Sequence, residues 1–262
     1  MGRSFARRTT LTITDNYELA NLEYVNMLGK VLDFLYDLSL NNDREWFNAN
    51  KERYVEANNI FNSFASSLAG RLAAIDPQIG PLQLKDMTYR IYRDVRFSKY
   101  KQPYKTHFGA FICRDGKKSP YSGYYFQVGV EGQGNFEGAN LLATGDYCID
   151  PRALRVLRED IAMGEGEFGR LVRGCDSRFE MDFEGCLKKI PAGFPADCQD
   201  ADYLRLKRYC VCYNAPDEFM TSEDLMEKTV ELFRTTTPLL HYINRGIEYS
   251  LEQQQDDLIF PF

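Results

Sequence analysis

The chain has 262 residues, of which 44% are hydrophobic, 27% charged and 14% aromatic. This length and composition are typical of a globular protein with a full hydrophobic core, and they exclude a disordered or collagen-like chain. No run of 18 apolar residues occurs, so the sequence predicts no membrane-spanning helix. The net charge of −6 argues against a protein coated in basic surface for nucleic acid.

Positive charge is concentrated in one part of the chain. The stretch 85–118 holds ten Lys or Arg and three Asp, a local charge of +7, so the remaining residues together carry −13. This asymmetry makes the basic stretch the main electrostatic feature of the sequence and the part that would attract an anionic ligand or partner.

The first third of the chain has the pattern of helices. Apolar residues recur at helical spacing over 17–40, which predicts a first helix. A second helix is predicted to begin near Asn42, because Asn42 can cap it and Glu45 follows three residues later, as in a capping box. Its apolar spacing continues to just before Pro77, where this helix is expected to end.

The middle of the chain favours strands. Apolar and small residues alternate over 107–114, and aromatic residues are dense over 121–130. Asp115 and Gly116 between them are typical of a turn, so the two segments predict an antiparallel hairpin. A third strand is predicted around 135–142.

The C-terminal half combines shorter elements. Residues 151–161 predict a short helix with proline in its first turn, and 208–213 predict another strand. The region 164–202 is punctuated by glycine and proline and is predicted to be irregular. A last helix is expected to begin at Thr221, to be interrupted at Pro238 and to resume for one or two turns.

Together these elements predict an α+β fold in which N-terminal and C-terminal helices flank a central antiparallel sheet. No linker divides the chain, so residues 27–262 are expected to form a single domain. Residues 1–26, whose first 14 include three Arg and no acid, are expected to be a dispensable N-terminal extension.

The residue types that bind metals show no ligand pattern. Seven cysteines and two histidines are present, without a CxxC pair, an HExxH motif or another metal-ligand spacing. The odd number of cysteines and the lack of a secretory signal favour free thiols in a reducing cytoplasm. The sequence therefore predicts no metal site and no cofactor.

The densest group of candidate functional residues lies in the basic stretch. The predicted ligand-binding residues are Arg90, Arg93, Arg96, Lys101, Tyr104 and Lys105. Clustered guanidinium groups are typical of sites for phosphate or carboxylate, because each donates two parallel hydrogen bonds. Asp94 is a predicted catalytic acid or base, or a residue that orients an arginine. The alternative is a partly buried Arg–Asp network that attaches the sheet to the helices.

The arginine spacing leaves two local structures open. On a helix, arginines three residues apart lie along one drifting face. In a strand, Arg90 and Arg96 share a face with Asp94, while Arg93 points to the other face.

Two further residues are candidates for chemistry. Glu45, Asn50 or Lys51 of the second helix is predicted to reach the arginines if that helix lies beside them, and Glu45 is then a predicted catalytic residue. His107, at the start of a predicted strand, is a candidate base or anion contact. For both, the alternative is structural: a capped helix with an aromatic anchor at Trp46, and a core or surface histidine.

The spacing of the charged residues resembles a known family. The pattern RxxRDxRF over 90–97, followed by Lys101 and Tyr104, is similar to the signature of the bacterial family called domain of unknown function 2461. The segment NNDREWF over 41–47 resembles the N-terminal pattern of that family. The similarity extends over nearly the whole chain, about 30–250.

One position departs from the family pattern. Tyr100 stands where the family usually has Asp or Asn before the lysine. If that acid orients the lysine or binds a metal in the family, this chain lacks that function. The resemblance implies a bacterial, cytoplasmic protein and names no substrate.

Three functions are compatible with these residues. The first is a binding site or an enzyme for a small ligand that carries phosphate or carboxylate, held by the arginines. The second is nucleic-acid binding, in which the basic stretch follows a backbone and aromatic residues stack on bases. The third is a structural or interaction protein whose arginine cluster docks an acidic partner. No membrane association is predicted.

Overall fold

A single antiparallel sheet of five strands organises the protein, in a computed structural model that describes residues 28–96, 101–130 and 139–259. The strands are β1 (His107–Cys113), β2 (Gly123–Gly129), β3 (Asn140–Asp146), β4 (Glu180–Met181) and β5 (Tyr209–Ala215). They lie in the order β1-β2-β3-β5-β4, and every neighbouring pair is antiparallel.

Eight α-helices occur in the described ranges. They are α1 (28–40), α2 (Arg44–Ala49), α3 (Lys51–Ile75), α4 (Leu84–Met87), α5 (Pro151–Met163), α6 (Glu167–Gly174), α7 (Asp217–Met220) and α8 (Leu225–Ile259), with a 3-10 helix at Ala201–Arg205. Helices from both the N-terminal and the C-terminal part contact the sheet. The predicted α+β class, with helices flanking an antiparallel sheet, is confirmed.

Alternation along the strands gives the sheet two faces, one of which is the core. The side chains of the core face include Phe108, Ala110, Ile112, Tyr124, Phe126, Val128, Leu142 and Val211, all of them buried. The rings of Phe126 in β2 and Phe64 in α3 have centroids 4.9 Å apart. On the same face, Phe233 of α8 lies 5.2 Å from the ring of Tyr124. The two longest helices therefore cover one side of the sheet.

A buried carboxylate joins three of these elements on the core side. Asp76, at the end of α3, is 2% exposed and accepts a hydrogen bond from Tyr124 Oη at 3.0 Å. Its other carboxylate oxygen lies 3.0 Å from His241 Nε2 in α8. The Tyr124 hydroxyl is also 2.8 Å from Thr237 Oγ1. Because these polar groups satisfy one another, the end of α3 and the middle of α8 are fixed against β2.

The predicted second helix is in fact two helices. One ends and the next begins at Asn50, whose φ of −107° and ψ of 25° depart from helical values. The predicted N-cap is also wrong, because Asp43 caps α2 by accepting a hydrogen bond from the Trp46 N–H at 2.9 Å. The side-chain amide of Asn42 instead binds the backbone of Tyr104, donating to its carbonyl at 3.0 Å and accepting from its N–H at 3.1 Å.

Two predictions about the C-terminal half are wrong. The region predicted to be irregular contains α6, whose Phe168 is fully buried in the core. The last helix passes through Pro238 without interruption. The threonines just before the proline donate hydroxyl hydrogen bonds to carbonyls of the preceding turn; they are Thr235, Thr236 and Thr237. Core packing on both sides of the proline holds the helix together.

The predicted hairpin is confirmed, and the predicted C-terminal strand corresponds to β5. The hairpin turn contains Asp115 and Gly116, whose φ values of 60° and 80° lie in the left-handed region. β3 lies later than the predicted window 135–142, of which 135–138 lie outside the described residues. The residues 1–27, which include the predicted extension and the start of the first helix, also lie outside them.

The seven cysteines all fall within the described ranges, and all are free thiols. No helix in those ranges is long and apolar enough to cross a membrane. Among the same residues, no three His, Cys, Asp or Glu side chains come together in an arrangement that would hold a metal ion.

Candidate functional site

The arginine segment, residues 88–96, runs in an extended conformation along the outer edge of β1. The Arg93 N–H donates to the carbonyl of Pro103 at 2.9 Å, and the Tyr89 N–H donates to the carbonyl of Gly109 in β1 at 3.3 Å. The helical alternative is therefore wrong, because the segment makes strand-like bridges at Thr88 and Tyr92. The middle of the segment pairs with residues 103–105, which lead into β1.

The sheet face opposite the core forms the floor of an open cleft of about 1240 Å³. Floor residues from successive strands include Phe111, Tyr125, Gln127, Leu141, Ala143 and Cys212. The arginine segment makes one side of the cleft, and the chain around β4 makes the opposite side. Because side chains alternate along each strand, the same strands supply both the core face and the cleft face of the sheet.

Only part of the predicted ligand-binding set lines this cleft. Arg93 and Lys105 of that set line it, as does the predicted catalytic residue Asp94, and the members exposed outside it are Arg90, Arg96 and Lys101. Lys101 donates from Nζ to the carbonyl of Val95 at 3.2 Å. The cleft therefore receives Arg93 and its neighbour Asp94, while Arg90 and Arg96 lie outside it.

Asp94 is engaged by Arg96 in a two-point ion pair. Arg96 Nε lies 2.9 Å from one carboxylate oxygen and Nη2 lies 2.6 Å from the other. These hydrogen bonds lower the pKa of Asp94 to about 2. The carboxylate is therefore ionised near neutral pH, which suits a residue that orients an arginine better than one that donates a proton.

Tyr104 and Glu45 lie away from the cleft. Tyr104 is 4% exposed, and its ring stacks on Phe47 of α2 with centroids 3.9 Å apart, so it is a packing residue. Glu45 is exposed in the first turn of α2 and is not among the residues that line the cleft. Both placements differ from the roles predicted from the sequence. Two other residues of this helix region reach Tyr92 of the arginine segment: Lys51, with Nζ 3.4 Å from Tyr92 Oη, and Phe47, with ring centroids 6.0 Å apart.

One wall of the cleft is cationic and is built around an aromatic ring. We define the cationic wall as Tyr89, Arg93, Lys105 and Lys117. Lys105 Nζ lies 5.5 Å from the ring centroid of Tyr89, and Lys117 Nζ lies 5.3 Å from it. The Lys117 ammonium also donates to two backbone carbonyls at 2.5 Å each, which fixes its position. The wall therefore combines fixed positive charge with a half-exposed ring.

His107 lies where the cationic wall meets the floor. It is the first residue of β1, is 9% exposed and lines the cleft. Burial, together with the charges of Lys105 and Arg93, lowers the pKa of its imidazole to about 4. Its Nδ1 is buried without a hydrogen-bond partner among the described residues. A neutral imidazole in this position can offer one hydrogen bond to a bound molecule.

The floor beside His107 is held by a chain of hydrogen bonds. The Tyr125 hydroxyl donates to Gln127 Oε1 at 2.8 Å, and Gln127 Nε2 donates to the carbonyl of Ala139 at 2.9 Å. Burial raises the pKa of the Tyr125 phenol, so the hydroxyl stays protonated and acts as a donor. The floor is therefore a preformed surface with an aromatic and an amide component.

The wall opposite the cations is acidic. We define the acidic wall as Asp146, Asp150, Glu180, Asp182 and Glu184, all of which line the cleft. Arg208 lies behind it and pairs with Asp182 at 2.6 Å and with Glu184 at 2.9 Å. The Arg208 guanidinium also packs 4.5 Å from the ring centroid of Tyr147. Negative charge therefore exceeds positive charge on this side of the cleft.

Sequence reasoning missed the acidic wall and the aromatic floor. Lys117 belongs to the basic stretch, so charge alone points to it. Tyr125 and Gln127 share one face of a predicted strand, but local alternation does not tell which face a helix will cover. The acidic residues come from segments far apart in the sequence, at 146–150 and 180–184, and nothing in either segment indicates that they meet.

Comparison with known proteins identifies a family. No curated protein and no solved structure matches the chain. The family model described as Conserved hypothetical protein (DUF2461) matches residues 30–242, well over half of the sequence. That match contains the arginine segment and both walls of the cleft. The resemblance drawn from the charged residues is therefore confirmed, and the chain belongs to the DUF2461 family.

Proposed function

We propose that the cleft binds a molecule carrying a phosphate or carboxylate group, with Arg93 and Lys105 as its main charged contacts. The observation that carries the proposal is the state of His107. Two cations from different segments lie close enough to this buried imidazole to help lower its pKa to about 4. Burial is the main cause of this low pKa, and the charges of Lys105 and Arg93 lower it further, so both cations act on the same end of the cleft and would attract an anion there.

Asp94 lines the cleft, but both of its oxygens are bound by Arg96, whose side chain lies mainly in solvent. In this proposal Arg93 contacts the anionic group through its guanidinium, and Lys105 adds a point charge. His107 Nδ1 would add a hydrogen bond, and Tyr89 would add a face for the apolar part of the ligand.

We also propose that the protein is cytoplasmic and bacterial, as the family resemblance implies. The seven free thiols support a reducing compartment, because none is committed to a disulfide. Whether the bound molecule is also transformed depends on a proton donor or nucleophile, and the ionised Asp94 is a poor donor.

Isothermal titration calorimetry with inorganic phosphate, pyrophosphate, citrate and AMP tests the anion site. We expect at least one of these probes to bind the wild type and to lose at least tenfold in affinity in the double variant Arg93→Gln/Lys105→Gln. Arg90→Gln is the matched control, since it removes an arginine of the same segment that does not line the cleft. Equal losses in the control and in the double variant, or no binding to the wild type, would overturn the proposal.

Nucleic-acid binding is the second candidate function. Two tyrosines on the arginine segment are exposed, Tyr89 at 40% and Tyr92 at 43%, and each has a lysine beside it. Exposed rings between cations are typical of surfaces that bind single strands. For this function, oligonucleotide affinity falls steeply with salt, and Arg90→Gln and Arg93→Gln weaken it equally. A salt-resistant affinity confined to the small probes would exclude it.

A further inference from the structure

We infer that the cleft takes an elongated ligand with charges of opposite sign at its two ends, its cationic group lying against the acidic wall. The inference rests on the proposed function, which places the anionic group at the cationic wall. Four observations carry it: the size of the cleft, the polarity of its walls, the unpartnered group on its floor and the span between the walls.

Size argues against a lone anion. Ligand pockets usually measure about 300–1,000 Å³ and enclose a whole small molecule. The cleft, at about 1240 Å³, is larger than that range, and it is open along one side. A single phosphate at Arg93 and Lys105 would leave most of the floor bare.

Some carboxylates of the acidic wall are not paired with a cation of the described chain. Arg208 pairs with Asp182 and Glu184, whereas Asp146 and Glu180 form no ion pair with another described residue. Asp146 accepts a hydrogen bond from the Cys148 N–H at 2.8 Å. Burial raises the pKa of the Asp146 carboxyl, which means that its charged form is poorly solvated. A cationic ligand group would stabilise that charge.

A ligand in the cleft is also indicated by an unsatisfied group on its floor. His107 is more than nine-tenths buried, and its Nδ1 finds no hydrogen-bond partner in the described part of the chain. Buried polar atoms normally have a partner, so a bound molecule is a natural source of one. This observation is independent of the carboxylates on the opposite side.

The strand register sets the length of the ligand. Residues that pair across the sheet form one row: Phe111, Tyr125, Ala143, Cys212 and Glu180. Strands lie about 4.8 Å apart, so the row is about 19 Å wide from β1 to β4. Asp146 lies on β3, two strands from β1, or about 10 Å. An extended peptide of three to six residues spans these distances at about 3.3 Å per residue.

Synthetic peptides test the inference directly. The probe is a seven-residue peptide with phosphoserine first, lysine sixth, and glycine and alanine elsewhere, compared by calorimetry with three analogues. One analogue replaces the lysine by norleucine, one moves the lysine next to the phosphoserine, and one carries serine instead of phosphoserine. We expect the probe to bind the wild type at least tenfold more tightly than the norleucine and adjacent-lysine analogues, because only the probe reaches both walls.

Variants assign that gain to the acidic wall. In Asp146→Asn/Glu180→Gln we expect the probe and its norleucine analogue to bind within twofold of each other. The control Asp33→Asn/Glu52→Gln removes two exposed charges outside the cleft and should keep the tenfold difference.

The outcomes separate this inference from the proposed function. Equal binding of the probe and the norleucine analogue to the wild type, with both weakened in Arg93→Gln/Lys105→Gln, overturns the inference and leaves the anion site intact. Binding of inorganic phosphate but of no phosphopeptide also overturns the inference. If neither the peptides nor the small anions bind, the inference and the proposed function both fail.

Discussion

The phenol group of Tyr125 lies across the α-carbon of Gly109 on the neighbouring strand. A β-carbon added at Gly109 would overlap the Tyr125 hydroxyl, and it would come within 3.0 Å of the ring carbon that bears it. Gly109 pairs directly with Gln127, which accepts the hydrogen bond from that hydroxyl. The floor of the cleft therefore depends on the absence of a side chain at one position in β1.

Replacing Gly109 by alanine should displace the Tyr125 ring and destabilise the protein. We expect a loss of about 1–3 kcal/mol, the usual cost of adding a methyl group where no space exists. Urea unfolding measures the change. Gly70→Ala is the control, since Gly70 lies on the exposed side of α3 with nothing within 4 Å of a new β-carbon. That change should stabilise the protein by about 0.5–1 kcal/mol.

A double-variant cycle shows whether the overlap is the cause. Tyr125→Phe removes the hydroxyl that the new methyl group would meet first. In that background Gly109→Ala should cost at least 0.5 kcal/mol less, a coupling typical of residues in contact, here about 0.5–3 kcal/mol. Additive effects would mean that Gly109 is needed for another reason.

Asn42 should stabilise the chain that pairs with the arginine segment, although it lies just before a helix. Its side-chain amide makes both hydrogen bonds to the backbone of Tyr104, 62 residues away. Asn42→Ala leaves both groups without these partners, so we expect a loss of about 1–3 kcal/mol. Hydrogen exchange should quicken at the Tyr104 amide. Asp43→Ala removes the cap of α2 and should cost about 1 kcal/mol without changing exchange at Tyr104.

The same contact shows where sequence reasoning reached its limit. Apolar periodicity and turn residues located most helices and strands, because those signals are local. Asn42 has the residue type of an N-cap, and nothing nearby indicates that its amide is used by a distant backbone. Asp43, one residue later, is an equally good cap and takes that role.

Part of the candidate site could likewise be predicted from the sequence, and part could not. Composition alone pointed to the basic stretch, and Arg93 and Lys105 do line the cleft. Which arginines share a side depended on pairing between residues 88–96 and a segment 10 to 22 residues later, which is tertiary information. Tyr104 has a polar tip suited to a ligand, but its ring stacks on Phe47 and is buried. An uncovered sheet face has no local signature at all.

Removing the partner of Asp94 should return its titration to the ordinary range. Arg96 holds the pKa of this carboxyl at about 2, and Arg96→Gln should raise it toward 3.8. Carbon-13 NMR of the side-chain carboxyl follows the change. The unfolded pKa is the higher one, so this ion pair stabilises the fold above pH 4 and its contribution is lost as pH falls through 2.

The stability effect of that pair should nevertheless be small, because the ion pair is exposed. A titration of Asp94 that stays near 2 in Arg96→Gln would show that another group holds the carboxylate. Asp176, which Arg178 binds in the same two-point way, has its pKa lowered to about 2 as well and serves as the internal reference.

His107 should make the protein less stable as the pH falls below 6.5. Its pKa is about 4 in the folded state against 6.5 when unfolded, so the unfolded chain binds this proton first and acid favours unfolding. Between pH 7 and pH 5 this one group should reduce the free energy of unfolding by about 2 kcal/mol. His107→Gln cannot titrate, so its loss over the same range should be smaller by that amount.

The chain has only two histidines, so the imidazole signal that disappears in the variant belongs to His107 and gives its pKa directly by NMR. A midpoint near 6.5, with equal pH dependence in both proteins, would mean that the imidazole is solvated in the folded protein and would contradict its buried position at the start of β1.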